Sequence, residues 1–170
     1  MQLAPPLLLA AVPALPLLAG IACRGRSAGT AGRIATTAAG VSAVLAVGLV
    51  ACGILVPEGL PLKLAVVSAV MVVLVSFLGT VVLRFSRHYL AGDPAQAKFF
   101  SWMSLTLASV LALVLSGHLL LLLGAWISTS LCLHRLLLHH PERVGAVFSA
   151  RKKFVFSRLG DACLLAGFLL

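Results

Sequence analysis

Apolar residues occur in blocks of about twenty, and this feature most restricts what the chain can fold into. Each block is about long enough to cross ~30 Å of hydrocarbon as a helix. The blocks are continuous and lack the period-two alternation of a membrane β-strand, so helices are favoured over a barrel. The 170 residues are 61% hydrophobic and 10% charged, with a mean hydropathy of +1.14, far from the balance of a soluble domain. The sequence therefore predicts an all-α, polytopic helical membrane protein.

We expect about six transmembrane helices, forming a single transmembrane domain over residues 1–170. The spans are predicted at residues 3–22, 34–56, 64–83, 99–115, 119–138 and 154–170. The apolar run over residues 99–138 is too long for one ordinary span, and Ser-Gly-His at 116–118 provides a turn at its middle. The last span ends in "LLAGFLL", without a charged or aromatic interface anchor. That ending predicts a chain truncated within or after the sixth helix, as in an incomplete gene product.

The excess of positive charge is confined to alternate connections between the spans. The first, third and fifth connections carry net charges of +3, +2 and +4, whereas the second and fourth carry none. Because Lys and Arg are retained in the cytoplasm, these three connections are predicted inside and the N-terminus outside. Topology thus accounts for the net charge of +9, and nucleic-acid binding is not expected. The four cysteines form no CxxC pair, and the sequence predicts neither a metal site nor a cofactor.

Two ionisable residues lie inside the predicted sixth span, where each costs about 2.5–3.5 kcal/mol on insertion scales. Arg158 and Asp161 are three residues apart, on one face of the helix, so they can pair. Lys153 precedes Arg158 by five residues. Two interpretations stay open. Arg158 and Asp161 neutralise each other while Lys153 extends to the cytoplasmic surface, or the three residues form a buried path for protons or other ions.

The predicted fifth span carries weaker candidates in the stretch "AWISTSLCLHRLLLHH". Ser128, Thr129 and Ser130 either bond back to their own helix or contribute to a polar path. A second group follows at the predicted cytoplasmic end of the span, where a helix C-terminus favours cations. Its members are candidates for facing a partner: His134, Arg135, His139 and His140. His134 and His139 are five residues apart and do not share a helix face, so a metal site is not expected.

Several motifs together resemble a known family. They are the sequence GDP before a Phe-Phe pair, the helix "LLLLLGAW", and the basic segment "ARKKFVFSRLGD". From about Phe77 to Leu170 the chain is similar to the N-terminal part of the proton-pumping membrane subunits shared by complex I (the L-type subunit) and multi-subunit Na+/H+ antiporters. The resemblance implies functional roles for Arg158 and Asp161 in SRLGD and for Lys153 at the start of the sixth span.

One position departs from the complex I pattern. The resemblance implies a proton-transferring Glu after the Trp of the fifth span, but Ile127 follows Trp126 here. The stretch "WISTSLCLHRLL" is more similar to DabB, the membrane subunit of the DabA–DabB inorganic-carbon uptake system. That resemblance implies a subunit that conducts cations down their gradient and is not itself catalytic. It also implies a DabA-like zinc protein, which hydrates CO2, at the cytoplasmic face.

Three functions follow as expectations. The first is a DabB-like subunit of an energy-coupled inorganic carbon transporter, multi-pass in the bacterial inner membrane and its lipid bilayer. The second is an L-type proton-translocating subunit of an NADH-quinone oxidoreductase, or an antiporter subunit, with other membrane subunits as partners. The third is a truncated remnant or assembly partner that transports nothing.

Overall fold

A computed structural model describes residues 4–52, 62–138 and 144–169. Over these ranges the chain forms six α-helices and no strand, which confirms the all-α prediction. The helices are α1 (Ala4–Ala22), α2 (Ala28–Ala51), α3 (Leu62–Tyr89), α4 (Gln96–Leu115), α5 (Leu119–Leu137) and α6 (Val144–Leu169). The turn predicted at residues 116–118 separates α4 from α5.

The helices differ in how well they suit a membrane. Within the described ranges, four are long and apolar enough to cross one, namely α2, α4, α5 and the Val66–Tyr89 part of α3. The apolar part of α1, Leu8–Ala22, is shorter. α6 begins ten residues before the predicted sixth span, because the Arg and Lys residues that precede the span are good helix formers and continue the helix. The chain is a multi-pass helical membrane protein.

α4 lies at the centre of the bundle. It packs against α1, α2, α3 and α5, whereas α6 contacts only α5 among the described helices. Small residues permit this close packing, since lipid supplies no hydrophobic drive between helices. A Cβ on Gly79 would lie 2.6 Å from Leu107 Cδ1, so α3 and α4 meet where α3 has no side chain.

A hydrogen bond from α2 satisfies a carbonyl of α1 that a proline leaves without a donor. The helix continues through Pro13 and Pro16. Pro16 has no N–H, so the carbonyl of Val12, four residues earlier, loses its donor within the helix. Ser42 Oγ, fully buried on α2, donates to that carbonyl at 2.8 Å. An unpaired carbonyl in hydrocarbon would cost several kcal/mol, so Ser42 stabilises the kinked region and fixes α2 against it.

We therefore expect Ser42→Ala to destabilise the fold by about 1–2 kcal/mol, because the Val12 carbonyl is left without a donor. The measurement is unfolding by SDS titration in mixed micelles. Pro16→Ala restores the N–H of residue 16, so Ser42→Ala should be nearly neutral in that background. Thr37→Ala is the matched control, because Thr37 is exposed and bonds only to carbonyls of its own helix. An equal loss with and without Pro16 would contradict this account.

Basic residues of all three odd connections lie at one end of the bundle, called the basic end below. The guanidinium carbon of Arg24, after α1, lies 5.4 Å from the ring centroid of Trp102 on α4. The guanidinium carbon of Arg135, near the end of α5, lies 6.0 Å from the centroid of the same Trp102 ring. Arg33 of α2 and Arg87 of α3 line one cavity. This common location is what the predicted alternation of charge requires.

The native cysteines provide a test of orientation. Cys52, the exposed residue that ends α2, lies at the end opposite the basic end and should react with a membrane-impermeant maleimide from outside the cell. Cys23 is buried in the turn after α1 and its Sγ donates to the carbonyl of Ala31 at 3.3 Å. Burial raises the pKa of the Cys23 thiol, so little reactive thiolate forms at neutral pH. We expect labelling of intact cells to be lost in Cys52→Ser. Labelling of Cys52 only after permeabilisation would reverse the orientation.

Candidate functional site

The candidate site is the α5–α6 seam, the contact face of two antiparallel helices. On α5 it comprises Trp126, Ser130 and His134, which share one face because they are four residues apart. On α6 it comprises Phe154, Ser157 and Asp161. The pairs run in order along the axis: Trp126 with Asp161, Ser130 with Ser157, and His134 with Phe154.

Asp161 is the innermost charged group of the seam. Its residue is only 4% exposed. Arg158 Nη2 lies 2.8 Å from Asp161 Oδ2, and Trp126 Nε1 donates to Asp161 Oδ1 at 3.0 Å. Arg158 therefore pairs within its own helix, as the spacing predicts, whereas the second carboxylate oxygen binds the neighbouring helix. An intramembrane carboxylate held between a cation and a fixed donor is favourable only with both partners present.

The depth of this carboxylate follows from its partner on α5. Trp126 lies seven residues after the first residue of α5 and eleven before the last. At 1.5 Å per residue these separations are ~10 Å and ~16 Å. Asp161 thus sits near the middle of the span, away from both interfaces.

Ser130 and Ser157 lie along the seam between this carboxylate and the basic end. Their hydroxyl oxygens are 2.5 Å apart. Lys153 Nζ donates to the carbonyl of Ser130 at 3.5 Å. Hydroxyls can both donate and accept, so they can pass a proton between neighbours. Lys153, the two serines and Asp161 follow one another along the α5–α6 seam.

The three consecutive hydroxyl residues of α5 have different hydrogen-bond partners. Ser130 faces α6, and Ser128 shares a hydrogen bond of 3.0 Å with Ser109 of α4. Thr129 donates to the carbonyl of Ala125 at 2.8 Å, which is a bond back to its own helix. Successive residues of a helix are turned by about 100°, so three neighbours cannot share one path.

A cleft of about 580 Å³ opens between α4, α5 and α6 at the basic end. Trp102, Ser128, Cys132, His134, Arg135 and Phe154 line it. The His134 and Phe154 ring centroids are 4.7 Å apart, and His134 Nδ1 is buried with no hydrogen-bond partner in the described part of the chain. His134 thus faces the cleft between helices, and Arg135 is exposed beside it. His139 and His140, the other two partner-facing candidates, lie outside the described residues.

On the α5 side of the seam, the sequence predicted Ser130 and His134 as candidates but missed Trp126. Trp126 was known only as the residue before Ile127, yet it is the cross-helix partner of Asp161. A signal existed, because a Trp N–H inside a membrane needs an acceptor. Ser157 and Ser109 carried no such signal. Within the described ranges, no three His, Cys, Asp or Glu side chains are grouped to hold a metal ion.

The sequence is similar to known membrane subunits over part of its length. Residues 59–100 match the family described as NADH-Ubiquinone oxidoreductase (complex I), chain 5 N-terminus. The chain is 44% identical over 104 residues to the probable inorganic carbon transporter subunit DabB of Hydrogenovibrio crunogenus, which is 61% of this chain and 20% of that protein. It is 45% identical over 97 residues to DabB2 of Halothiobacillus neapolitanus, which is 57% of this chain and 18% of that protein.

A third relative represents the respiratory branch. The chain is 34% identical over 109 residues to NADH-quinone oxidoreductase subunit L of Mycobacterium tuberculosis, which is 64% of this chain and 17% of that protein. All three matches cover about a fifth of the relative's own length or less. Over the matched residues the chain is similar to the N-terminal part of complex I and antiporter membrane subunits, and its identity is higher to the two DabB proteins than to the respiratory subunit.

Proposed function

We propose that the chain is part of the membrane subunit of an energy-coupled inorganic carbon transporter in a bacterial inner membrane. The observation that carries the proposal is its 44–45% identity to two relatives named as probable subunits of such transporters. Ile127 supports it, because the fifth span lacks the acid that the complex I resemblance implies. The chain forms one transmembrane domain and carries ions rather than catalysing a reaction.

In this proposal the α5–α6 seam is the ion path. Asp161 is the buried group that exchanges a proton or binds a cation, and Arg158 is its ion-pair partner. Lys153 and the Ser130–Ser157 pair connect it to the basic end. The carboxylate missing at position 127 is replaced in space, because Asp161 is bonded to the adjacent residue, Trp126.

The proposed partner is a DabA-like zinc protein that converts CO2 to bicarbonate at the cytoplasmic face. The basic end offers it Arg135 and the nearby His134, and we assign His139 and His140 to the same surface. Ion movement through the seam would supply the energy that makes hydration proceed in one direction.

The second candidate is an L-type proton-translocating subunit of an NADH-quinone oxidoreductase. The family match over residues 59–100 and the 34% identity to the Mycobacterium tuberculosis subunit favour it. It shares the seam with the first candidate but differs in partners, which would be other membrane subunits of a quinone-reducing complex.

Co-purification separates the two. The membrane protein is isolated from its native host through an affinity tag, and its partners and zinc content are measured. We expect a stoichiometric zinc-containing partner, and we expect the pair of genes to restore growth in air to a strain without carbonic anhydrase. Recovery of quinone-reducing activity with other membrane subunits, and no zinc protein, would establish the second candidate instead.

A further inference from the structure

His134 borders both the cleft at the basic end and the α5–α6 seam. Its ring is partly exposed and lines the cleft, whose volume of about 580 Å³ has room for many water molecules. Its side chain also lies on the seam face of α5, four residues, or about one turn, after Ser130. A single side chain therefore lies between a space open to the basic end and the residues that lead to Asp161.

One ring nitrogen of His134 is buried without a partner. Nδ1 has no hydrogen-bond partner within the ranges that the structure describes. The ring packs against Phe154 of α6, with centroids 4.7 Å apart, and a phenyl group provides no ordinary hydrogen-bond partner. Leaving a buried polar atom unpaired costs about 1–3 kcal/mol. Such atoms in native proteins are explained by an ordered water or by a catalytic role. Nδ1 therefore marks a point at which water or a hydroxyl group can bond to the ring.

The chemistry of the cleft lining favours His134 as the group that exchanges protons. Imidazole ordinarily gains and loses a proton between pH 5 and 8, and its two nitrogens can take up and release protons at different edges. Arg135, also in the lining, keeps its proton at physiological pH, and the Trp102 indole only donates. Cys132 and Ser128 line the cleft as well, but thiols and hydroxyls mostly keep their protons at neutral pH. Among the described lining residues, His134 is the one suited to relay protons.

The charges near the ring favour a proton over a metal cation. Basic side chains approach it from the connection after α1, from α5 and from α6, namely Arg24, Arg135, Lys153 and Arg158. A Na+ ion must enter such a region as a free charge and is repelled, whereas a proton crosses it by transfer between bonded groups. The Phe154 ring is within the ~6 Å over which an aromatic face attracts a cation, so it stabilises a protonated His134. Lys153 contacts the carbonyl of Ser130 and not its hydroxyl, so this bond does not continue along the hydroxyl groups.

We propose, on the basis of the proposed function, that His134 passes protons between water in the cleft and the hydroxyl groups of the seam. Nε2 takes a proton from hydronium in the cleft, which leaves water and a positively charged imidazolium. Nδ1 then releases its own proton to the oxygen of Ser130, whose proton moves to Ser157 and on toward Asp161. The ring is neutral again with its proton on Nε2, and a rotation of the side chain restores the starting form. Each cycle moves one proton and leaves the ring unchanged.

The test is uptake of labelled inorganic carbon by cells that express the complete system, at matched amounts of membrane protein. His134→Gln keeps a polar side chain but cannot relay a proton, so uptake should fall by about 100-fold. His134→Ala leaves space in the cleft, and imidazole added to the cells should restore uptake. Pyrazole has the same ring size but is a far weaker base, so it should not. His88→Gln is the matched control, because His88 is exposed near the end of α3 and does not line the cleft.

The outcomes separate this role from packing and from the proposed function itself. Wild-type uptake by His134→Gln would overturn the proposal. Equal effects of imidazole and pyrazole on His134→Ala, whether both restore uptake or neither does, would also overturn it, because a packing role does not depend on basicity. Loss of uptake in Asp161→Asn with normal uptake in His134→Gln would remove His134 alone from the path. No carbon uptake by the wild-type system would instead contradict the proposed function.

Discussion

Under the proposed function, Asp161→Asn is expected to lower carbon uptake by on the order of 100-fold, the usual contribution of a positioned proton-transferring side chain. Asparagine keeps the shape of the side chain and can still accept from Trp126 Nε1, 3.0 Å away in the wild type. It cannot take up a proton or hold a cation by charge. The measurement is uptake of labelled inorganic carbon by cells that express the complete system, at matched amounts of membrane protein.

Two controls separate ion transfer from packing. Asp161→Glu retains a carboxylate and should keep more uptake than Asp161→Asn, although its longer side chain disturbs the bond to Trp126. Thr129→Ala removes a hydroxyl on the neighbouring face of α5 that bonds only to its own helix, so uptake should be unchanged. Wild-type uptake by Asp161→Asn would remove the seam from the ion path.

Arg158→Gln has the largest expected effect on stability, a loss of about 3 kcal/mol in the free energy of unfolding. Asp161 is 4% exposed, so without Arg158 it remains as a buried charge beside a single neutral donor. Breaking a buried pair by removing one partner typically costs 3–5 kcal/mol. We take the lower end because the Arg158 side chain is 33% exposed. SDS titration in mixed micelles provides the measurement.

The charge on Asp161 is the proposed cause, so removing it should restore stability. The double variant Arg158→Gln with Asp161→Asn is expected to recover most of the loss, because no buried charge remains. Arg151→Gln, a change of the same kind at an exposed position of α6, should have little effect. If the double variant were as unstable as Arg158→Gln alone, the arginine would stabilise α6 by packing against Phe154, whose ring centroid is 5.3 Å from its guanidinium carbon.

Local features predicted much of the fold. Hydropathy located the helices, and the Ser-Gly-His sequence at 116–118 located the turn between α4 and α5. The pairing of Arg158 with Asp161 was predictable because residues three apart on a helix are neighbours whatever surrounds them. α6 begins at Val144, ten residues before the predicted sixth span, because hydropathy indicates where a chain can enter hydrocarbon and not where a helix begins.

The roles of polar residues within the helices were less predictable. Ser42 resembled any hydroxyl in a membrane helix, yet it donates to a carbonyl thirty residues earlier that Pro16 leaves free. Ser128, Thr129 and Ser130 formed one cluster in the sequence but contact α4, their own helix and α6 respectively. Such contacts depend on how each helix is rotated about its axis relative to its neighbours, and a short stretch of sequence does not predict that rotation.

The sequence by itself determined the membrane class, the helical architecture, the alternation of basic connections and the i, i+3 ion pair. Each depends on hydropathy, charge or separation along one helix, which are properties of a single segment. Only the tertiary structure decided that Asp161 meets Trp126, beside the position where the resemblance implies an acid, and that Arg33 and Arg87 share a cavity. Those contacts join residues 35 and 54 positions apart, and they exist only because antiparallel helices pack in a particular register and orientation.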